Sequence, residues 1–138
     1  MEGWQVTNEL IQKAVDLGNR VGYTFVATSD VKGLPHLAAS RKIELELDGH
    51  LAVSEWFCPG TLANLDMNPQ VSVVVWDHAS DTGFQLIGES VGVEETAMLD
   101  GFYPTSKKPG PQVERKLRIR VDKIMDFSQA PHSDEEKP

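Results

Sequence analysis

The stretch Lys42-Ile43-Glu44-Leu45-Glu46-Leu47-Asp48-Gly49-His50-Leu51-Ala52-Val53 decides the fold class. Ile43, Leu45 and Leu47 alternate with Lys42, Glu44 and Glu46, the period of a strand with one face buried. Asp48-Gly49 then predicts a two-residue type I′ turn, whose central positions both need positive φ. Leu51, Ala52 and Val53 begin the return strand. A hairpin of this kind predicts antiparallel β structure.

Upstream, Tyr23 to Thr28 is aromatic and β-branched and reads as a strand, followed by turn residues Ser29 to Gly33. The next strand starts at Leu34 and runs without a break into the Lys42–Leu47 alternation. Downstream, Val71 to Trp76 is almost wholly apolar, which predicts a strand covered on both faces. Phe84 to Val93 is a further strand, and Gly88 and Gly92 predict bulges that help a sheet curl. Val113 to Phe127 is the last, with Leu117, Ile119 and Val121 alternating with Lys116, Arg118, Arg120 and Asp122.

Three helices complete the reading. Thr7 caps the first, Val6 and Ile11 form a hydrophobic staple, and Gly18 or Asn19 ends it. Thr61 to Met67 is a short helix that stops before Pro69. Glu94 to Asp100 reads as another, with acids in its first turn and Gly101 after it. Pro104 to Pro111 is a loop. Six mostly antiparallel strands with few helices predict a mainly β, small closed or partly closed barrel over residues 1–127, with 128–138 as a mobile tail.

Composition bounds the function. The 138 residues carry 13 Lys plus Arg against 21 Asp plus Glu, a net charge of −8. That balance disfavours nucleic acid and anionic membranes as partners. No apolar run approaches the roughly 18 residues that a membrane span needs. Met1-Glu2-Gly3-Trp4-Gln5 does not open a secretory signal. One cysteine, Cys58, excludes an internal disulfide and a Cys-rich zinc site. The expectation is a soluble, cytoplasmic protein.

Few residues advertise chemistry. His36, His50, His78 and His132 have no metal-ligand spacing and read as turn and surface histidines, so no metal is expected. Cys58 precedes a helix start, where amide dipoles favour a thiolate, but lone cysteines are among the most buried residues. The segment Cys58 to Leu65, with Pro59, Gly60 and Thr61 at its start, reads as an anion site at a helix start or, at least as readily, as an ordinary cap before a connecting helix. Ala39-Ser40-Arg41 places small residues mid-strand, open to a flat ligand, and Arg41 reads either as a phosphate partner or as a solvated strand charge. Trp56, Phe57 and Trp76 either wall an aromatic ligand or belong to the core.

Taken in order, Phe25-Val26-Ala27-Thr28, Gly33-Leu34-Pro35-His36-Leu37, Asp48-Gly49-His50-Leu51, Thr61-Leu62-Ala63-Asn64-Leu65, Asn68-Pro69, Val71-Ser72-Val73-Val74-Val75 and Phe84-Gln85-Leu86-Ile87-Gly88-Glu89 resemble the pyridoxamine 5′-phosphate oxidase-related, FMN-binding split-barrel family. The resemblance implies a six-stranded antiparallel split barrel, a homodimer, and FMN held between subunits. It places Ala39, Ser40 and Arg41 on the flavin-facing strand, and Ser54, Glu55, Trp56 and Phe57 beside the ring. Cys58, Pro59, Gly60, Thr61 and Asn64 form the phosphate end, while Trp76 and Gln85 approach the ring or the dimer seam.

The chain departs from the family in two ways. Gly60 and Leu62 stand where members often carry Lys or Arg at the helix start. The end of the chain also lacks the Arg-containing segment of vitamin B6 oxidases. The implied function is therefore an FMN-dependent oxidoreductase other than a B6 oxidase, reduced by a nicotinamide or a partner protein. Two other readings stand beside it: an FMN-binding electron carrier, and a flavin-free barrel that binds haem or a deazaflavin.

Overall fold

The structure is a computed structural model that describes residues 5–56, 59–101 and 110–131, with side chains at 5–54, 59–96 and 114–131. The elements run α1 (Asn8–Val21), β1 (Thr24–Ser29), β2 (Pro35–Ser40), β3 (Lys42–Leu45), β4 (Leu51–Trp56), α2 (Pro59–Met67), β5 (Gln70–Asp77), β6 (Thr82–Gly101) and β7 (Gly110–Asp126). All strand pairs are antiparallel, and one sheet takes the order β2-β1-β5-β6-β7-β4-β3. The sheet curls until β2 meets β4, where the Ser40 hydroxyl donates to the carbonyl oxygen of Ser54.

Seven strands appear instead of six because the second expected strand breaks at Arg41. Arg41 and Lys42 are both exposed, so the in-out alternation skips a beat there and the chain turns from one sheet edge to the other. Two further expectations about this region change. The turn after β3 is longer than two residues: Gly49 N–H donates to Glu46 O and Glu46 N–H donates to His50 O, both at 2.9 Å. Only Gly49 takes positive φ, at 91°. The Asp48 carboxylate accepts from His50 N–H at 3.1 Å, a side-chain turn that dispenses with a second positive φ.

Thr7 caps α1 as expected, accepting from Leu10 N–H at 3.2 Å, and Val6 packs against the core that contains Ile11. The helix does not end at Gly18 or Asn19. It continues to Val21 and closes on Gly22, whose φ is 95°. Gly18 serves close approach instead: a Cβ there would lie 2.6 Å from Ile43 Cδ1 and 2.9 Å from Val75 Cγ1. The apolar stripe Ile11, Ala14, Val15 and Leu17 joins Val26, Val53, Val73, Leu86, Leu117, Ile119 and Ile124 in one buried core.

The predicted helix over Glu94–Asp100 is not formed. β6 runs on to Gly101 and pairs with β7 as far as Gly110, so Gly110 and Pro111 are strand and not loop. Cross-strand charge explains the preference: Arg118 meets Glu94 at 3.0 Å and Arg115 meets Glu95 at 3.8 Å, contacts a helix would forfeit. Register shifts fall at Ile87/Gly88, Ser90/Gly92 and Glu95/Ala97, so both expected glycine bends are real.

Past β7, Gln129 N–H donates to Asp81 Oδ1 at 2.8 Å, so the first residues of the expected tail are tied to the β5–β6 turn. The 104–109 part of the expected loop and residues 132–138 lie outside the described residues. Among the described residues no helix is long and apolar enough to cross a membrane.

Candidate functional site

β1 and β2 form the wall of the site. Their register sets Thr24 opposite Ser40, Val26 opposite Ala38 and Thr28 opposite His36, all on the inward face. Leu37 and Ala39 point to the other face, opposite Ala27 and Phe25. The β1–β2 turn is held by Asp30, whose Oδ1 accepts from Lys32 N–H at 2.8 Å and Leu34 N–H at 2.9 Å.

α2 lies across this wall. Asn64 Nδ2 donates to Thr28 Oγ1 at 3.0 Å, and Asn68 Nδ2 donates to Ser29 Oγ at 3.0 Å. These bonds fix the helix so that its first turn meets β2. The contact there is tight: a Cβ on Gly60 would lie 2.7 Å from His36 Nε2. Any larger residue would push the imidazole away. Thr61 is 1% exposed, and α2 has no acidic residue in its first turn.

The inward face of β1 and β2, from the start of α2 at one end to β4 at the other, carries polar, uncharged side chains. The buried polar residues among those described are Thr24, Thr28, Ser40, Ser54 and Thr61, all hydroxyls. Two polar atoms, Thr24 Oγ1 and His36 Nδ1, are buried without a hydrogen-bond partner. Unpaired buried polar atoms cost about 1–3 kcal/mol each, so they persist where something else offsets them. A helix start adds amide N–H groups without intrahelical partners and a positive dipole end. Among the described residues these groups offer hydrogen bonds and no fixed cation.

The predicted site residues divide into groups. Pro59, Gly60, Thr61 and Asn64 belong to α2 at the Thr28–His36 end of the wall, where the Asn64 amide is committed to Thr28, whereas Ser40 and Ser54 lie four residues along, with the Ser40 hydroxyl proton committed to Ser54. Arg41 lies exposed at the β2–β3 break. Ala39 and Gln85 sit on the opposite face of the sheet, where Gln85 Nε2 donates to Ser72 Oγ at 2.9 Å. The indole N–H of Trp76 donates to Asp81 at 3.0 Å, and its ring meets His78 and Phe127 edge-on. Glu55 and Trp56 belong to β4, opposite Arg115 and Glu114, while Phe57 and Cys58 lie outside the described residues.

His36 is the residue that sequence reasoning missed. Its signal was there: His36, Ala38 and Ser40 follow a period of two, which puts the histidine on the same face as Ser40.

Charge is concentrated elsewhere. Between β7 and the end of β3 with the turn after it, Lys116 meets Glu44 at 2.9 Å and Arg118 meets Glu46 at 2.7 Å. The Lys116 hydrogen bond holds the Glu44 carboxyl below its ordinary value. Glu46, Asp48 and His50 bring possible metal-ligand atoms within 4.8 Å of one another, but Glu46 already has Arg118 and Asp48 already has His50 at 3.0 Å.

No family model matches the sequence, and neither does any curated protein. Solved structures do match. HupZ of Group A Streptococcus superimposes with a TM-score of 0.62 at 21% identity, covering 91% of this chain and 97% of that one. A pyridoxamine 5′-phosphate oxidase-related, FMN-binding protein from Nostoc punctiforme gives 0.62 at 11% identity, covering 94% and 89%. HutZ of Vibrio cholerae, a haem storage protein, gives 0.52 at 12% identity, covering 88% and 96%. This chain has the split-barrel fold of the pyridoxamine 5′-phosphate oxidase-related, FMN-binding proteins.

Proposed function

We propose that the chain binds FMN non-covalently, as a cytoplasmic homodimer, and acts as a flavin-dependent oxidoreductase. The observation that carries the reading is the cradle at Gly60. The start of α2 presses on His36 with no side chain between them, inside a seam of hydroxyls that holds an unpaired imidazole nitrogen. A phosphate monoester is the ligand group that such a donor-rich, cation-poor helix start suits. Pro59, Gly60 and Thr61 would hold that end, and Asn64 would keep the helix in place through Thr28. The flavin supplies redox chemistry when bound. Among the described residues His36 is the one titratable group at that contact, and the hydroxyls beside it can bind and orient but not transfer protons at neutral pH.

The other face of the sheet supports the dimer. Val71 to Trp76 has the apolar continuity of a strand covered twice, yet Ser72, Val74 and Trp76 are only half-buried in one chain. Phe25, Ala27, Leu37, Ala39, Val74 and Ile87 share this face by register, and Leu37 is 65% exposed. A second copy would cover it.

The visible spectrum of the purified protein, before and after incubation with FMN, tests the cofactor. Flavin absorbance that stays with the protein through desalting supports the reading. A Soret band in its place would assign haem, the cargo named for HutZ. Rapid mixing of the flavin form with reduced nicotinamides separates an oxidoreductase from an electron carrier.

A further inference from the structure

We propose that the segment after β7 is a latch, closed on Asp81, that fixes the Trp76 indole on the outer face of the sheet and so sets the strength of the dimer. The inference rests on the dimer reading and needs no cofactor. It begins with the path of the ring. Trp76 shares the outward parity of Ser72 and Val74 on β5. Its indole crosses β6 at its pairing partner Gly83, which has no side chain; a Cβ there would lie 3.0 Å from Trp76 Cδ1. The ring meets Phe127 edge-on at 6.0 Å and His78 edge-on at 5.3 Å.

The indole and the latch share one acceptor. Asp81 Oδ1 accepts from Trp76 Nε1–H at 3.0 Å and from Gln129 N–H at 2.8 Å. Phe127 N–H donates to Gly83 O at 3.0 Å, which lays the segment beside the turn. Asp81 reaches this place with a φ of 49°, the one positive φ outside glycine among the described residues. That conformation costs an L residue free energy, so it persists where surrounding contacts hold it.

The fixed ring adjoins the row Phe25, Val74, Gln85 and Met125, which register places on the outer face. A side chain that is already ordered loses little freedom when a second copy covers it, and tryptophan is among the residues that carry most interface energy. Opening the latch frees the ring, and association must then order it again. The end of the chain is thereby coupled to assembly.

Gln129→Pro removes the backbone donor to Asp81 and keeps the chain at full length, Gln129→Ala keeps that donor, and Asp81→Ala removes the shared acceptor. Circular dichroism checks the fold of each. Two quantities are read: exchange of the Trp76 indole N–H with deuterium by NMR, its signal assigned by loss in Trp76→Phe, and the dimer dissociation constant by analytical ultracentrifugation. Gln129→Pro and Asp81→Ala should both speed the exchange and weaken the dimer about tenfold, the scale of loosening one anchor residue. Gln129→Ala should match the wild type in both.

Unchanged indole exchange in Gln129→Pro and Asp81→Ala overturns the latch while leaving the dimer reading intact. Faster exchange with an unchanged dimer constant overturns it too, because the ring then has no part in assembly. A wild type that is monomeric at every concentration overturns the dimer reading itself, and this inference with it.

Discussion

Ser40 on the edge strand β2 and Ser54 on β4, beside the far edge strand β3, close the curled sheet, the hydroxyl of one donating to the carbonyl of the other. Both residues are buried, at 2% and 8% exposure. Ser40→Ala leaves that carbonyl without its partner in a dry seam, which costs about 1–3 kcal/mol. We expect a lower urea midpoint with an unchanged denaturant slope, because the amount of surface exposed on unfolding stays the same. An unaltered midpoint would show that the closure contributes nothing.

Gly88 marks the bend in β6. A Cβ at this position would overlap the backbone carbonyl oxygen of Arg120, and backbone cannot step aside as a side-chain end can. Gly88→Ala should therefore destabilise by about 3 kcal/mol, the upper end of overpacking costs. Gly92, at the next register shift, has nothing within 4 Å of its would-be Cβ, and Gly92→Ala should be far milder. Thermal melts of the pair check the contrast. Equal effects would contradict it.

Asp81 ties the β5–β6 turn to the segment after β7. The backbone N–H of Gln129 and the indole N–H of Trp76 hold its carboxyl below the ordinary 3.8. A carboxyl whose folded value is depressed stabilises the protein above its unfolded value. That stability is lost as pH falls through the folded value. Stability should thus decline below about pH 4, and Trp76 emission should shift with it. Asp81→Asn keeps the hydrogen-bond geometry and a residue type that tolerates the φ of 49°, but cannot titrate. It should blunt the acid decline. An acid profile identical to wild type would assign the loss to other carboxyls.

The apolar outer face predicts an assembly. Leu37→Glu places a charge on that face and should convert a dimer to a monomer in analytical ultracentrifugation, with the circular dichroism unchanged. A wild type that stays monomeric across the accessible concentration range would contradict the dimer.

Much of this was legible in the residues. The Thr7 cap, the burial of Ile43 and the bends at Gly88 and Gly92 are local signals that tertiary structure left in place, whereas Leu47, expected on the same buried face as Ile43, is fully exposed past the end of β3. The failures share one cause. Glu94–Asp100 looks helical by its own acids and glycine, but Arg118 and Arg115 on β7 bind those acids across the strand pair. Gly18 looks like a helix end until Ile43 and Val75 are brought against it. The long strand breaks at Arg41 because β2 and β3 must reach opposite edges of one sheet. Each is a long-range contact, invisible to local periodicity. The candidate site was read at Gly60, Thr61 and Asn64 as a helix start. His36, which packs against that start, was hidden because its partner in space is 24 residues further along the chain.

The most direct test of the central claim is titration of flavin-free protein with FMN, followed by loss of flavin fluorescence and growth of a shifted visible band. The account predicts saturation at one FMN per protomer and weaker binding of riboflavin. Free-flavin fluorescence that persists at every protein concentration, with no spectral shift, would contradict it.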